Sequence, residues 1–322
     1  MKHVKSAAPG KTILFGEHSV VYGFPAIAMA INIQTKCELQ EIQKDIIELR
    51  FKNYGLSLNS SSLSKLITSF PESFKQYGLC FKMLHEKYGI EFNKLRVTLS
   101  SDLFPGSGLG SSASTAVSLI SAINNFYDLN LLKEDISKLA YKMEEIVHGS
   151  PSGIDNTICT FGNIIMYKQG NFEFLESFSD LQILISYTNI EHDTKNAINS
   201  IKKLKKKRPG LVSKYLKEMG EIANSAKMEL IDGNLVSLGD LMNRNQQLLS
   251  LLGVSNKKID LINKIALQNG AYGSKLTGAG LGGCVISLGE RKALQKISII
   301  LNEKNIPNFL TTRNETGVHL IE

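Results

Sequence analysis

The sequence predicts an α+β protein of two domains, and three observations carry that expectation. At 322 residues the chain is longer than one hydrophobic core usually organises. The first third is dense in alternating and β-branched segments, whereas helical periodicity dominates residues 194–266. Strand-like segments then return on either side of a second glycine-rich loop near the C-terminus. The change of character places a domain boundary near Phe178, giving domains 1–178 and 179–322, with no repeats and no low-complexity linker.

Taken in order, 4–8 and 12–15 read as strands, with Pro9-Gly10 as a tight turn between them. Further strands are expected at 26–43, 45–52 and 95–100. Residues 54–88 carry no specific motif. Helices follow at 112–127 and 133–148. The second has an apolar stripe at Leu132, Ile136, Leu139, Ala140, Met143, Ile146 and Val147, at the 3.6-residue period. A hairpin is expected at 163–167 and 172–175, and a strand at 181–187. After the helices come strands at 273–277 and 284–288, a helix at 291–304 and a strand-like end at 308–321.

Hydrophobic residues make up 43% of the chain and charged residues 21%, an ordinary globular balance. No apolar run approaches the ~20 residues that span a bilayer. Ser6, Pro9 and Lys11 interrupt any signal-peptide pattern, so no secretory leader and no membrane partner are expected. Cys37, Cys80, Cys159 and Cys284 lack metal-ligand spacing and read as reduced, buried thiols of a cytoplasmic protein. The net charge of +7 raises the question of nucleic acid. Lysine greatly outnumbers arginine, the favoured bidentate reader of phosphate and guanine. The densest basic run, Lys202-Lys203-Leu204-Lys205-Lys206-Lys207-Arg208, has no interleaved aromatics. It reads as a solvated helix face and turn rather than a nucleic-acid site.

The most informative stretch is Pro105-Gly106-Ser107-Gly108-Leu109-Gly110-Ser111-Ser112-Ala113-Ser114. Alternate glycines let backbone N–H groups approach an anion, and the helix that follows adds unpaired donors and the positive end of its dipole. This predicts a phosphate cradle built from backbone. The familiar phosphate motifs fail. Gly10-Lys11-Thr12 lacks the upstream glycine of a Walker A loop, because that position is Lys5. The protein-kinase His-Arg-Asp and Asp-Phe-Gly sequences do not occur. Gly278-Ala279-Gly280-Leu281-Gly282-Gly283 has dinucleotide-fingerprint spacing but runs into a strand, not a helix.

Other residues could carry chemistry, each with a plain alternative. Lys11, after the Pro9-Gly10 turn, is a candidate whose plain alternative is a surface lysine at a strand start, since lysines are rarely buried. Glu17 and His18, after Phe15-Gly16, are either a polar loop or a pair that bonds a substrate hydroxyl or carboxylate. On the second helix Glu145 points away from the apolar stripe, while Glu144 lies on its flank and is the better Mg²⁺ candidate. His148–Asn156 is a loop by composition, in which Asp155 either caps a turn or helix or acts as a general base. Ser111 and Ser112 suit a helix cap, and Ser112 could cap and still bind Mg²⁺.

Together these segments resemble the galactokinase, homoserine kinase, mevalonate kinase and phosphomevalonate kinase (GHMP) superfamily, and within it the mevalonate kinase family most closely. Three motifs occur in order: Pro9-Gly10-Lys11-Thr12-Ile13-Leu14-Phe15-Gly16-Glu17-His18-Ser19-Val20-Val21-Tyr22-Gly23, then the Pro105–Ser114 loop, then Lys275-Leu276-Thr277-Gly278-Ala279-Gly280-Leu281-Gly282-Gly283-Cys284. The His148–Asn156 segment is similar to that family's catalytic loop. The resemblance implies an N-terminal domain like the second domain of ribosomal protein S5 and a ferredoxin-like C-terminal domain. It implies phosphorylation of mevalonate at its 5-hydroxyl by ATP with Mg²⁺. Asp155 matches the catalytic base and Lys11 its partner. Ser112 and Glu144 match the Mg²⁺ positions. Residues Pro105, Gly106, Ser107, Gly108, Leu109, Gly110, Ser111, Ser112 and Ala113 match the ATP phosphate loop. Glu17, His18, Thr194 and Gly280 match mevalonate-side positions. Leu281 departs from the family, which often has glycine there, and implies a slightly stiffer loop. Another GHMP kinase, such as a phosphomevalonate kinase, is the nearest rival. The assembly is left open, with a homodimer as the candidate.

Overall fold

A computed structural model describes residues 1–104, 106–149, 151–175, 181–191 and 194–322. The expected boundary at Phe178 lies outside the described residues, as does Pro105 of the phosphate loop. In chain order the elements begin with β1 (His3–Phe15), β2 (Ala26–Glu41), β3 (Ile47–Phe51), β4 (Leu56–Ser60), α1 (Leu63–Ser69), α2 (Lys75–Tyr88) and β5 (Leu95–Ser101). Next are α3 (Ser111–Phe126), α4 (Lys133–His148), α5 (Ile154–Phe161), β6 (Ile164–Lys168), β7 (Asn171–Phe174) and β8 (Gln182–Tyr187). The chain continues with α6 (Thr194–Lys207), α7 (Pro209–Asp232), α8 (Leu235–Leu251), α9 (Lys257–Gln268), β9 (Ala271–Thr277) and β10 (Cys284–Gly289). It ends with α10 (Arg291–Glu303), β11 (Asn308–Thr312) and β12 (His319–Ile321).

The first sheet runs β12-β1-β2-β5-β3-β4, with the β6–β7 hairpin attached to β2. Long β2 serves three neighbours. It pairs along its length with β1, through residues 35–41 with β5, and through residues 26–29 with β6. Helices α2, α3, α4 and α5 form the layer behind it. Most of α3 is buried because its small residues (Ala113, Ala116, Ala122) let it lie close to β1 and β2.

The second sheet runs β11-β8-β10-β9, all antiparallel, and its chain order is strand, helices, two strands, helix, strand. That is the ferredoxin-like arrangement. One apolar core extends from this sheet into the first domain, joining Ile286 and Leu276 to Phe15, Met29 and Leu109. The final strand β12 leaves the second sheet's neighbourhood and pairs with β1 at Lys5, Ser6 and Ala7.

Three local expectations are corrected. Pro9-Gly10 is not a turn between two strands: β1 is continuous, with a register shift between Pro9 and Gly10. A bulge accommodates the missing proline N–H, and Lys11 N then donates to Leu109 O at 2.9 Å instead of continuing a regular ladder. The segment 308–321 is not one strand but β11 and β12 on different sheets. The His148–Asn156 segment is only partly loop: α4 extends to His148 and α5 starts at Ile154, so Asp155 stands in the first turn of a helix.

Candidate active site

The glycine-rich loop is clamped before it can cradle anything. Ser107 is buried, and its Oγ donates to Phe104 O at 2.6 Å. Leu109 is buried, and its carbonyl accepts from Lys11 N. Ser114 Oγ donates to Ala8 O at 2.8 Å, tying the start of α3 to β1. Gly106, Gly108 and Gly110 all take positive φ, so the loop coils into the N-terminus of α3. Gly110 itself occupies the N-cap position, and no side chain caps α3. The expected cap role of Ser111 and Ser112 is therefore not used. Both residues are partly exposed in the helix's first turn.

Lys11 reaches this loop from β1. Only 5% of the residue is exposed, which excludes the surface-lysine alternative. Its Nζ lies 3.1 Å from Asp155 Oδ1. The Asp155 side chain retains 30% exposure, so the pair has a shielded cation and an accessible carboxylate. Helix α5 presents that carboxylate where a helix dipole favours negative charge. Asn156 fixes the helix to α4 by donating from Nδ2 to Ser137 Oγ at 2.8 Å and to Ser137 O at 3.1 Å. The preceding turn is pinned by Tyr167, whose hydroxyl donates to Ser152 O at 2.6 Å.

Glu144, on α4, is buried, while its neighbour Glu145 is exposed. Burial pushes the Glu144 carboxyl up to about 8, the nearby Asp155 charge adds to the rise, and Lys11 opposes it. Raised to about 8, Glu144 holds its proton near neutrality, and ionising it would add a second carboxylate beside the Lys11–Asp155 pair. A divalent cation would stabilise that ionised form, and the donors are hard oxygens. Among the described residues no group of three or more His, Cys, Asp or Glu side chains could hold a metal.

The third motif docks on the first. Thr277 Oγ1 accepts from Ile13 N at 2.8 Å and donates to Ile13 O at 3.0 Å. Glu17 is buried and ion-pairs with Lys275, a lysine with no exposed surface. Its other oxygen accepts from Asn245 Nδ2 at 3.0 Å. His18 Nε2 lies 2.8 Å from Ala279 O. A carbonyl can only accept, so Nε2 carries the hydrogen. Burial holds the His18 imidazole down at about 4, and the Lys275 charge lowers it further against the Ala279 bond. His18 also has φ +60°, a conformation that costs a non-glycine residue on the order of 1–3 kcal/mol. Gly280 must be glycine, because with φ +81° a Cβ would meet Val254 O at 2.3 Å. Leu281 takes φ +58° and donates from its N to the same carbonyl at 2.7 Å. Its Cβ is therefore carried at a strained position, a stronger constraint than mere stiffness. Thr194 is the first residue of α6 and partly exposed.

The structure thus brings Lys11, Asp155, Glu144 and the glycine loop into one neighbourhood, with Glu17, His18 and Gly280 on the side of the third motif. Sequence reasoning missed the partners of Glu17. Lys275 had a weak signal, as the one charged residue of β9; Asn245 had none. It also missed a cavity beside the loop lined by Phe51, Asn53, Tyr54, Ser101, Ser111 and Thr115. Asn53 shapes its wall by exchanging two hydrogen bonds with the Ser101 backbone, at 2.6 and 2.7 Å.

This combination of an S5-like sheet, a ferredoxin-like domain and a glycine cradle beside a Lys–Asp pair defines the GHMP kinase class. The model for the GHMP kinase N-terminal domain matches residues 74–163, and the model for the C-terminal domain matches residues 200–305. A mevalonate kinase of Pyrococcus horikoshii is 37% identical over 100% of this chain and 99% of its own. The crystal structure of the Methanococcus jannaschii mevalonate kinase superposes with a TM-score of 0.87 at 30% identity, covering 97% of this chain and 99% of that one. An L. major mevalonate kinase in complex with R-mevalonate gives a TM-score of 0.83 at 28% identity, over 97% of both chains. The chain belongs to the mevalonate kinase family.

Proposed function

We propose that this protein transfers the γ-phosphoryl group of ATP to the 5-hydroxyl of (R)-mevalonate, yielding 5-phosphomevalonate and ADP for isoprenoid biosynthesis. The observation that carries the reading is the Lys11–Asp155 pair at 3.1 Å, beside the glycine cradle, in a chain related end to end to mevalonate kinases. The L. major relative bound to R-mevalonate supports the choice of alcohol.

In this reading Asp155 accepts the proton of the attacking hydroxyl, whose own pKa lies far above neutrality. The new O–P bond forms as the bond between the β,γ-bridging oxygen and the γ-phosphorus breaks, and ADP leaves with the electron pair. Lys11 pairs with Asp155 and steadies charge that develops on the alcohol oxygen. Backbone donors of the 106–113 loop hold the nucleotide phosphates, and the cavity at Asn53 and Tyr54 takes the nucleoside. Glu144 and Ser112 hold Mg²⁺, which supplies charge neutralisation on the phosphates when bound. Glu17, His18, Thr194 and Gly280 shape the mevalonate side. A cytoplasmic location fits four free, buried cysteines, and a homodimer is the assembly to test by light scattering.

The decisive experiment is ADP release from purified protein with a panel of alcohols. Turnover with (R)-mevalonate supports the proposal. Turnover with phosphomevalonate or galactose, and none with mevalonate, overturns it.

A further inference from the structure

Lys275 is a charged group that the chemistry above does not use. It is fully buried on β9, and burial lowers its pKa even though Glu17 works in the opposite direction. Its Nζ donates to Glu17 Oε1 and, at 2.7 Å, to its neighbour's carbonyl, Leu276 O. Asn245, on α8, also has no exposed surface. It gives its Nδ2 to Glu17 while its Oδ1 has no hydrogen-bond partner among the described residues. An acceptor left unsatisfied in the interior is costly, so this side chain is oriented for Glu17 and not for itself. Both oxygens of one carboxylate are therefore gripped from the second domain, by β9 and by α8.

The residue after that carboxylate is the strained one. His18 holds φ +60° and rests its Nε2 on Ala279 O, in the loop that follows β9. The strand and the loop that follows it thus anchor Glu17 through Lys275 and receive His18 through Ala279. Strained backbone persists only where the surroundings over-determine it. With Nε2–H committed to Ala279, the other ring nitrogen carries the lone pair. A lone pair accepts from a hydroxyl and repels a carboxylate.

We propose that Lys275 is a positioning residue for the acceptor alcohol: its ammonium fixes Glu17, and Glu17 fixes His18 with Nε2 on Ala279 and Nδ1 left to accept a hydrogen bond from a substrate hydroxyl. The proposal rests on the mevalonate kinase reading, and it selects between the two substrate groups, hydroxyl and carboxylate, that Glu17 and His18 could serve. A buried pair that only stabilised the domain junction would be replaceable by apolar residues without functional cost.

The test uses Lys275→Met and the double variant Lys275→Met/Glu17→Gln, which buries no unpaired charge and so guards against a misfolded single variant. Nitrogen-15 NMR of the imidazoles, with His18 assigned by His18→Gln, reads the tautomer directly. In the wild type His18 should be a neutral Nε2–H tautomer throughout about pH 6–8, where an unperturbed histidine titrates. In both variants that signature should be lost or mixed. Misplacement on the acceptor side should lower kcat/KM for mevalonate by about 10²-fold while KM for MgATP stays close to the wild-type value. The proposal is overturned if wild-type His18 titrates in that range or protonates Nδ1. It is equally overturned if the double variant keeps the His18 signature and near-native kinetics. Because the spectrum is read without substrate, activity on a different alcohol would sink the functional reading while leaving this one standing.

Discussion

The stem of Lys11 lies directly against Gly110: a Cβ added there would sit 2.8 Å from Lys11 Cγ. Gly110 also holds φ +75° at the N-cap of α3. The loop expected to hold phosphate and the lysine paired with Asp155 thus share one surface with no room between them. Gly110→Ala should displace Lys11 or uncoil the loop. The left-handed backbone adds a penalty of roughly 1–2 kcal/mol. A displacement of even ~1 Å at such a site can cost about 10²-fold in turnover. We expect a loss of that order together with a lowered Tm, measured by steady-state kinetics and thermal melting. Near-native turnover would show that Lys11 need not lie where it does.

Asp155→Asn preserves shape and hydrogen bonding but removes the proton acceptor. The expected loss in kcat is about 10²–10⁴-fold, the range for a positioned general base. Nucleotide affinity should change little, because the proposed phosphate contacts come from the backbone of the 106–113 loop and not from Asp155. Retained turnover would reduce Asp155 to a residue that favours the start of α5.

Much of the fold and site was legible in the sequence, and what was missed has physical causes. Helix α4 matches the expected 133–148 at both ends because its apolar spacing is regular. The glycine loop running into α3 was legible because alternating glycines signal a backbone of positive φ. Helices α1 and α2 were missed, since residues 54–88 offered no motif. The β1 bulge was read as a turn because Pro-Gly signals a turn locally, and only the β2 and Leu109 contacts keep the strand going. The Glu17–Lys275 pair was invisible because its members lie 258 residues apart, and pairing at that range is a property of the fold.

The basic run needs a finer test than its composition suggested. Lys202, Lys203, Lys206 and Lys207 are exposed on α6, but Lys205 is partly buried with Nζ 4.0 Å from the centre of the Tyr22 ring. Lys205→Gln should cost about 0.5–1 kcal/mol through the lost cation–π contact, whereas Lys206→Gln should stay within about 0.5 kcal/mol. Chemical denaturation resolves the difference. Neither change should alter kcat. A gel-shift titration at several salt concentrations checks the other meaning of the charge. Submicromolar nucleic-acid binding that depends on this run and falls steeply with salt would contradict a purely metabolic role.

The two adjacent glutamates on α4 make opposite predictions. Glu144 is held up at about 8 chiefly by burial, then by the Asp155 charge, whereas an unfolded glutamate titrates near about 4.3. Between those values the folded protein binds the extra proton, so stability should fall as pH rises through the window. In metal-free protein, Tm should therefore decline from about pH 5 to about pH 8, and Glu144→Gln should flatten that slope. Binding Mg²⁺ requires the carboxylate, so its uptake should release a proton and tighten as pH rises toward 8. Glu144→Gln should raise the Mg²⁺ concentration needed for half-maximal turnover, because a hard cation loses an anionic oxygen. Glu145 is exposed and should be nearly silent in every one of these measurements. Calorimetric Mg²⁺ titrations in two buffers of different protonation enthalpy, run on both variants, would count the proton. Equal behaviour of Glu144→Gln and Glu145→Gln would remove Glu144 from the metal site.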